Sequence, residues 1–412
     1  MNTEALAVRE GPATFPDGDP FPSWPMHDAA EETAVLDVLR SGKWGSTHGD
    51  VVATFESEFA DYQDAGHAIC MTNGTIGISV ALRAAGVGVG DEVIVPPYTF
   101  IATASAALLI GAVPIFADID PSTHLLDPVA AERAITPRTK AIVVVHLAGR
   151  PADLAAFTEL GKRHGLVIIE DAAQAHGAAY RGRRVGAIGD MGTFSFQTSK
   201  NITSGEGGVI LTDDPERASA LYSMVNVGRI RGGGWYEHRS VGFNLRLTEF
   251  QAALLRAQLV RHPAQQAIRE RNATLLDSQL ADLVADGRLL LAPADPAVTA
   301  HGRHLYIFRV PGLGRAGLRD AAVAALAAEG LRAASTGYVP LHRNEPVINE
   351  ATEICRRLDR PYLLTPCPQA DLVSADTIWL PHNYLLGTPE QTERLGQAIS
   401  KVVLGLSSDQ PG

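Results

Sequence analysis

Lys200 stands in the stretch SFQTSKNITSGEGG, residues 195–208, among small and hydroxyl-bearing residues and just ahead of a glycine-rich turn. A solvated surface lysine needs no such setting. An amine held where the backbone is permissive suits covalent work on a carbonyl, with the side-chain nitrogen forming a Schiff base. Asp171 opens the run DAAQAHGA, TNGT (72–75) is a glycine-containing turn, and PYTF (97–100) offers the aromatic ring of Phe100. One amine, one carboxylate, one turn able to hold an anion and one flat apolar face form a coherent chemical set.

These residues need a frame, and the apolar runs supply it. Strands are expected at HAICM (67–71), EVIVP (92–96), VPIFAD (113–118), AIVVVH (141–146), LVIIE (166–170), GTFSFQ (192–197) and GVILT (208–212). Most are continuous rather than alternating, the pattern of strands covered on both faces. Between them lie Ala- and Leu-rich segments such as IGISVALRAAG and ATASAALLIGA, which favour helix. Strand–helix–strand alternation predicts an α/β fold with a mainly parallel sheet. In such sheets ligands bind beyond the carboxyl ends of the strands. Asp171 directly follows LVIIE, Lys200 lies shortly after GTFSFQ, TNGT follows HAICM, and PYTF follows EVIVP. All four converge on one rim.

The set fits pyridoxal 5′-phosphate. Its aldehyde takes a lysine amine, and its pyridine nitrogen stays protonated only beside a carboxylate. A charged Asp–pyridinium bond also fixes the ring's orientation. The phosphate is met by backbone N–H groups at a helix start.

SFQTSKNITSGEGG, EDAAQAHGA, GDEVIVPPYTFIATA and GFNLRLTEFQAALL resemble the signature blocks of the DegT/StrS family of pyridoxal-phosphate aminotransferases, which make amino sugars and aminocyclitols. The resemblance runs from about residue 35 to the C-terminus. It implies a fold-type I transferase, with a large α/β domain, a smaller α+β C-terminal domain and a homodimer sharing its active sites. It implies that Lys200 carries the cofactor and moves protons, and that Asp171 pairs with the pyridine nitrogen. Gln174 would contact the 3-hydroxyl side, and Phe100 would stack on the ring. Ser195 and the backbone amides of Gly74, Thr75 and Ile76 would bind the phosphate, joined by Asn244 of the neighbouring subunit. His146 and His176 read as supporting or structural, and RGGGW (231–235) as a mobile loop near the substrate.

The chain keeps Lys200 where some relatives of this kind carry histidine and act as dehydratases. WYEHRSVGFNLRLTEFQAALLRAQL and TIWLPHNYLLG resemble the subgroup acting on cyclitols, which includes the aminohydroxybenzoate synthases. The implied reaction moves an amine from L-glutamine or L-glutamate to a ketone on a cyclitol or keto-sugar. The alternatives are a dehydrating, aromatising synthase and a non-catalytic cofactor-binding regulator. HLAGR departs from the subgroup by placing Arg150 where a small or amide residue is usual.

Bulk properties narrow the partners. At 412 residues the chain exceeds the size at which one core keeps growing. We expect an extended segment over 1–30, a large domain over 31–262 and a small one over 263–412. The region TEFQAALLRAQLVRHPAQQAIRERNATLLDSQL reads as one long helical stretch, kinked or restarted at Pro263. A net charge of −11 disfavours nonspecific binding to nucleic acid or anionic membranes. Three scattered cysteines and the pair His301 and His304 suggest no metal site, and the acidic start of the chain does not read as a signal peptide. A cytoplasmic enzyme is expected. The Asn-x-Ser/Thr tripeptides at Asn73, Asn201 and Asn272 read as chance matches.

Overall fold

The structure, a computed structural model, describes residues 5–407. Seven strands form where the apolar runs place them: β1 (His67–Met71), β2 (Glu92–Val95), β3 (Val113–Phe116), β4 (Thr139–Val145), β5 (Val167–Asp171), β6 (Met191–Ser195) and β7 (Gly208–Thr212). They make one sheet in the order β1-β7-β6-β5-β4-β2-β3. Only β7 runs against its two neighbours; the remaining pairings are parallel. Helices α1 (Ala29–Ser41), α2 (Val51–Tyr62), α3 (Gly74–Ala84), α4 (Ala102–Leu109), α5 (Leu154–His164) and α6 (Pro215–Val225) accompany it. Ile142, Val143 and Val144 are consecutive and all fully buried, which is why their strand carries no polar alternation. The fold is α/β with a mostly parallel sheet, as expected.

Beyond the sheet comes α7 (Glu249–Gln279), then β8 (Leu305–Arg309), α8 (Arg319–Ala328), α9 (Glu345–Arg357), β9 (Thr377–Pro381) and α10 (Pro389–Ser407). β8 and β9 pair antiparallel. A second apolar core joins Leu276, Tyr306, Phe308, Leu326, Leu395 and Val403 with Leu6, Phe15 and Phe21 of the N-terminal segment. Leu341, Val347, Ile354 and Val373 pack instead with the sheet's core.

The helix does not restart at Pro263, since α7 is continuous through it. A mid-helix proline costs about 3 kcal/mol through its missing N–H and its ring. Contacts along the whole length offset that cost. Ala252, Leu255 and Leu259 are in the first core, Ala273 and Leu276 in the second, and α1, α2 and α10 all pack on the helix. Thr248 and Gln251 start it with a reciprocal capping box. Among the described residues no helix is long and apolar enough to cross a membrane.

Candidate active site

Asp171 is the last residue of β5, in register with Val145 on one side and Thr193 on the other. The sheet fixes its backbone, and side-chain bonds fix its carboxylate. Oδ2 accepts from the Thr103 hydroxyl at 2.8 Å, and Oδ1 accepts from the Ala173 N–H at 3.3 Å. Thr103 Oγ1 lies 3.0 Å from Thr99 Oγ1, so the pair of hydroxyls forms a short relay behind the acid. Burial raises the Asp171 pKa, opposed by the Thr103 bond, the Ala173 N–H and the charge of Lys200. A buried acid of this kind is poised for a cationic partner.

Lys200 lies in the turn after β6 and is half-buried. Desolvation pushes its ammonium down to about 8, against the pull of the Asp171 carboxylate. The turn itself is held from several directions. Asn201 donates to Gly302 O at 2.7 Å and pairs through Oδ1 with His304 Nδ1 at 3.0 Å. His382 Nε2 donates to Ser199 O at 3.1 Å, and Trp24 Nε1 donates to Thr198 O at 3.0 Å. None of Trp24, His304 and His382 stands near Lys200 in sequence, so no local pattern announces them.

The glycines beside Lys200 serve a close approach. Gly208 pairs with Ser195 across β6 and β7, and a Cβ on Gly208 would lie 2.8 Å from Gly74 N. A Cβ on Gly74 would in turn lie 2.9 Å from Ser195 Cβ. The start of α3 is thereby pressed against Ser195, as an anion cradle requires. Asn73 caps this helix, its Oδ1 accepting the Ile76 N–H at 2.9 Å. Ile76 is thus engaged within the cap, which leaves Gly74 and Thr75 at the open end of the helix. Ser195 Oγ also accepts the Gln197 N–H at 3.3 Å.

Gln174 bridges two layers. Its Oε1 accepts the Ala148 N–H at 2.6 Å, and its Nε2 donates to the Tyr338 hydroxyl at 3.0 Å. The Tyr338 ring is tilted against Phe100 with centroids 6.0 Å apart, and burial pushes its hydroxyl up to about 12. Phe100 is 52% exposed, so its face is open rather than sunk in the core. Thr103 and Tyr338 escaped sequence reasoning. Thr103 sits one helical turn beyond Thr99 without distinguishing context, and Tyr338 comes from a loop remote in the chain.

Other residues fall elsewhere. Asn244 is exposed, and among the described residues no hydrogen bond ties its side chain to the strand-end group. His146 Nδ1 accepts the Ala152 N–H, so its proton is on Nε2 and is shared with Glu170 at 3.0 Å. Glu170 also gathers the N–H groups of Gly186, Ile188 and Gly189, which marks His146 as part of a structural clamp. His176 is fully buried beside Phe59, Phe194 and Phe196, and burial drives its pKa to about 3, so it is neutral. Arg150 donates to Pro293 O at 2.7 Å and lines a surface cavity with Arg184, Glu270 and Arg303. That cavity includes neither Lys200 nor Asp171. In the RGGGW loop, Arg231 lies 3.5 Å from Glu56 and packs over Tyr222.

The residues fit pyridoxal 5′-phosphate: a buried acid, a lysine of lowered pKa, and a helix start pressed against a serine. The chain matches the DegT/DnrJ/EryC1/StrS aminotransferase family over residues 25–400. It is 39% identical over 379 residues to the 3-amino-5-hydroxybenzoate synthase of Amycolatopsis mediterranei, spanning 90% of this chain and 94% of that protein. It is also 39% identical over 423 residues to the L-glutamine:2-deoxy-scyllo-inosose aminotransferase of Streptomyces lividus, spanning 97% and 98%. Among solved structures, a 3-amino-5-hydroxybenzoic acid synthase is similar with a TM-score of 0.86 and 36% identity, over 94% of this chain and 99% of that one. The aminotransferase from Psychrobacter cryohalolentis gives 0.86 and 33%, over 94% and 100%. Enzymes of this family depend on pyridoxal 5′-phosphate. With a family match across nearly its whole length, this chain belongs to the DegT/DnrJ/EryC1/StrS aminotransferases.

Proposed function

We propose that this aminotransferase binds pyridoxal 5′-phosphate and moves an amino group from L-glutamine or L-glutamate to a ketone on a cyclitol or keto-sugar. The product would feed aminocyclitol or amino-sugar biosynthesis. The observation that carries the reading is the opposition of Lys200 and Asp171 at neighbouring strand ends, each perturbing the other's ionisation. The choice of acceptor is supported by similarity to relatives named for inosose amination.

When bound, the cofactor supplies an aldehyde for the amine and a ring that accepts the electron pair released at the substrate carbon. Asp171 keeps a proton on the ring nitrogen, and Thr103 holds its carboxylate in place. Lys200 Nζ is the attachment point and, once free, a base whose pKa near 8 suits proton transfer at neutral pH. Gly74, Thr75 and Ser195 hold the phosphate. Gln174 supports the ring's oxygen side, and Phe100 covers one face. Asn244 completes the phosphate site of a second subunit, making the working unit a homodimer. The exposed Trp44, Phe243 and Val260 supply apolar surface for that contact.

The aromatising reading has its own support in the 3-amino-5-hydroxybenzoate synthase relatives. One experiment separates the two. The amine-loaded enzyme is mixed with 2-deoxy-scyllo-inosose, and the aldehyde-loaded enzyme with an amino-dehydroshikimate-like ring, and the cofactor spectrum and product ultraviolet absorbance are followed. Return of the aldehyde form with the inosose, and no aromatic product from the other ring, is expected. An aromatic product would favour the second reading. No spectral change with any keto-cyclitol or keto-sugar would sink the first.

A further inference from the structure

Behind the Lys200 turn lies a buried group that the transamination chemistry leaves unused. Arg269, on α7, is fully buried, and among the described residues none of its three guanidinium nitrogens has a hydrogen-bond partner. Among the described residues no acid pairs with it. Its favourable electrostatic neighbours are the Tyr62 hydroxyl and the face of the Trp24 ring, while Glu270, next in the chain, is taken by a two-point pair with Arg303. An arginine stays charged in proteins, and a buried cation without a counter-charge is strongly disfavoured.

Its surroundings add unmet polar atoms rather than relief. His262, seven residues earlier on α7, is fully buried and receives or gives a bond to the Tyr62 hydroxyl through Nδ1 at 2.8 Å, while its Nε2 has no partner. His382 spends Nε2 on Ser199 O and leaves Nδ1 unpartnered. Trp24 packs between them, its ring 5.6 Å from the Arg269 guanidinium carbon and 4.4 Å from the His382 ring. Burial together with the Arg269 charge keeps His262 and His382 neutral, so neither imidazole adds to the positive charge. On the neighbouring turns of α7, Pro263, Gln266, Ala267 and Glu270 line a surface cavity.

We propose that Arg269 and His262 hold a small monovalent inorganic anion, chloride in the cell, buried behind the Lys200 turn. The anion accepts from the guanidinium N–H groups and from His262 Nε2–H, with the Tyr62 hydroxyl donating to Nδ1. His382 Nδ1, being an acceptor, stays outside the coordination and is met by water. The ion neutralises Arg269 and so secures the layer of Trp24 and His382 that grips Thr198 and Ser199 on either side of the turn's approach to Lys200. The site is independent of which ketone the enzyme aminates.

The test uses the full-length protein loaded with pyridoxal 5′-phosphate. Crystals soaked in bromide should show an anomalous peak within contact distance of Arg269. In solution, replacing gluconate by chloride at constant ionic strength should raise Tm by about 3 °C over a hundredfold range of chloride, the linkage expected for a ligand bound only to the native state. Arg269→Met, which removes the charge and keeps the volume, should abolish that response while the cofactor's absorbance is retained. Water alone at Arg269 in the bromide crystals overturns the proposal. So does a chloride response that persists undiminished in Arg269→Met. Should that variant not fold, the bromide peak and the wild-type halide titration still decide the matter.

Discussion

The turn that carries Lys200 and the loop from Asn226 to Thr248 are both irregular, both glycine-containing and both attached to the same sheet. They differ in what completes them. The Lys200 turn is tied from within the chain by Trp24, Gly302, His304 and His382. The second loop presents Tyr236, Val241 and Phe243 to solvent, with Tyr236 86% exposed. Its Arg229 packs on its own Trp235, and Arg231 reaches back to Glu56. A monomeric protein has little reason to expose so many large apolar groups in one short stretch. The contrast fits the proposal made above, in which covalent chemistry is organised inside one chain and the phosphate site is completed by a second subunit covering this surface.

The sharpest way to break this comparison is at Lys200. Lys200→Ala is expected to lower turnover on the order of 10⁴-fold or more, because no other group can shuttle the proton. Phosphate binding should survive, since Gly74, Thr75 and Ser195 are untouched. Borohydride reduction of the wild type followed by peptide mapping should place the label on Lys200, and a label on Lys162 or Lys401 would refute the assignment.

Asp171→Asn comes next, with a loss of roughly 10²–10³-fold that falls on kcat rather than KM. Steady-state kinetics within a few-fold of wild type would remove this aspartate from the mechanism.

The outer loop is tested by mixing. If Asn244 completes the phosphate site of a second subunit as proposed, Asn244→Asp puts a negative charge there and should leave the protein nearly inactive. Exchanging its subunits with Lys200→Ala chains should return about a quarter of the wild-type activity, since half the dimers are mixed and each holds one intact site. An active monomer in sedimentation, or no recovery after verified exchange, defeats the shared-site reading.

Thr103→Val should slow turnover about tenfold by removing one hydrogen bond of about 1.4 kcal/mol from the Asp171 carboxylate. The ring nitrogen's titration, followed by absorbance, should shift with it. A merely structural role would lower Tm and leave that titration unmoved.

The smallest effect concerns pH. The folded-state pKa of Lys200 is about 8, below its ordinary 10.5, so the unfolded chain binds more protons between those values. Stability of the cofactor-free protein should therefore rise with pH across that window, and it should do so less in Lys200→Met. Thermal melts of the two proteins from pH 7.5 to 10.5 check the difference in slope.

Much of the inner region was legible because its signals are local. A strand buried on both faces must be continuously apolar, and the residue after it must sit at the sheet's edge. Lys200 and Asp171 could thus be placed at the sheet's edge, with a glycine-rich turn following the lysine, before any coordinates. Thr103 and Tyr338 could not be found this way, because a hydroxyl's partner is chosen by packing across the sheet and not by spacing in the chain.

What the sequence by itself determined is the seven strands of the main sheet, their alternating α/β order and the amine–acid pair, all of which follow from short-range periodicity and side-chain chemistry. Tertiary structure decided the rest. It kept α7 continuous through Pro263, since the two cores it spans stabilise the helix more than the proline disturbs it. It folded Leu6, Phe15 and Phe21 into the core of the C-terminal half and set Trp24 against the Lys200 turn. It also buried Arg269 with no hydrogen-bond partner for its guanidinium among the described residues. Such outcomes depend on which surfaces meet across hundreds of residues, and burial free energy rewards the meeting without leaving a trace in local pattern.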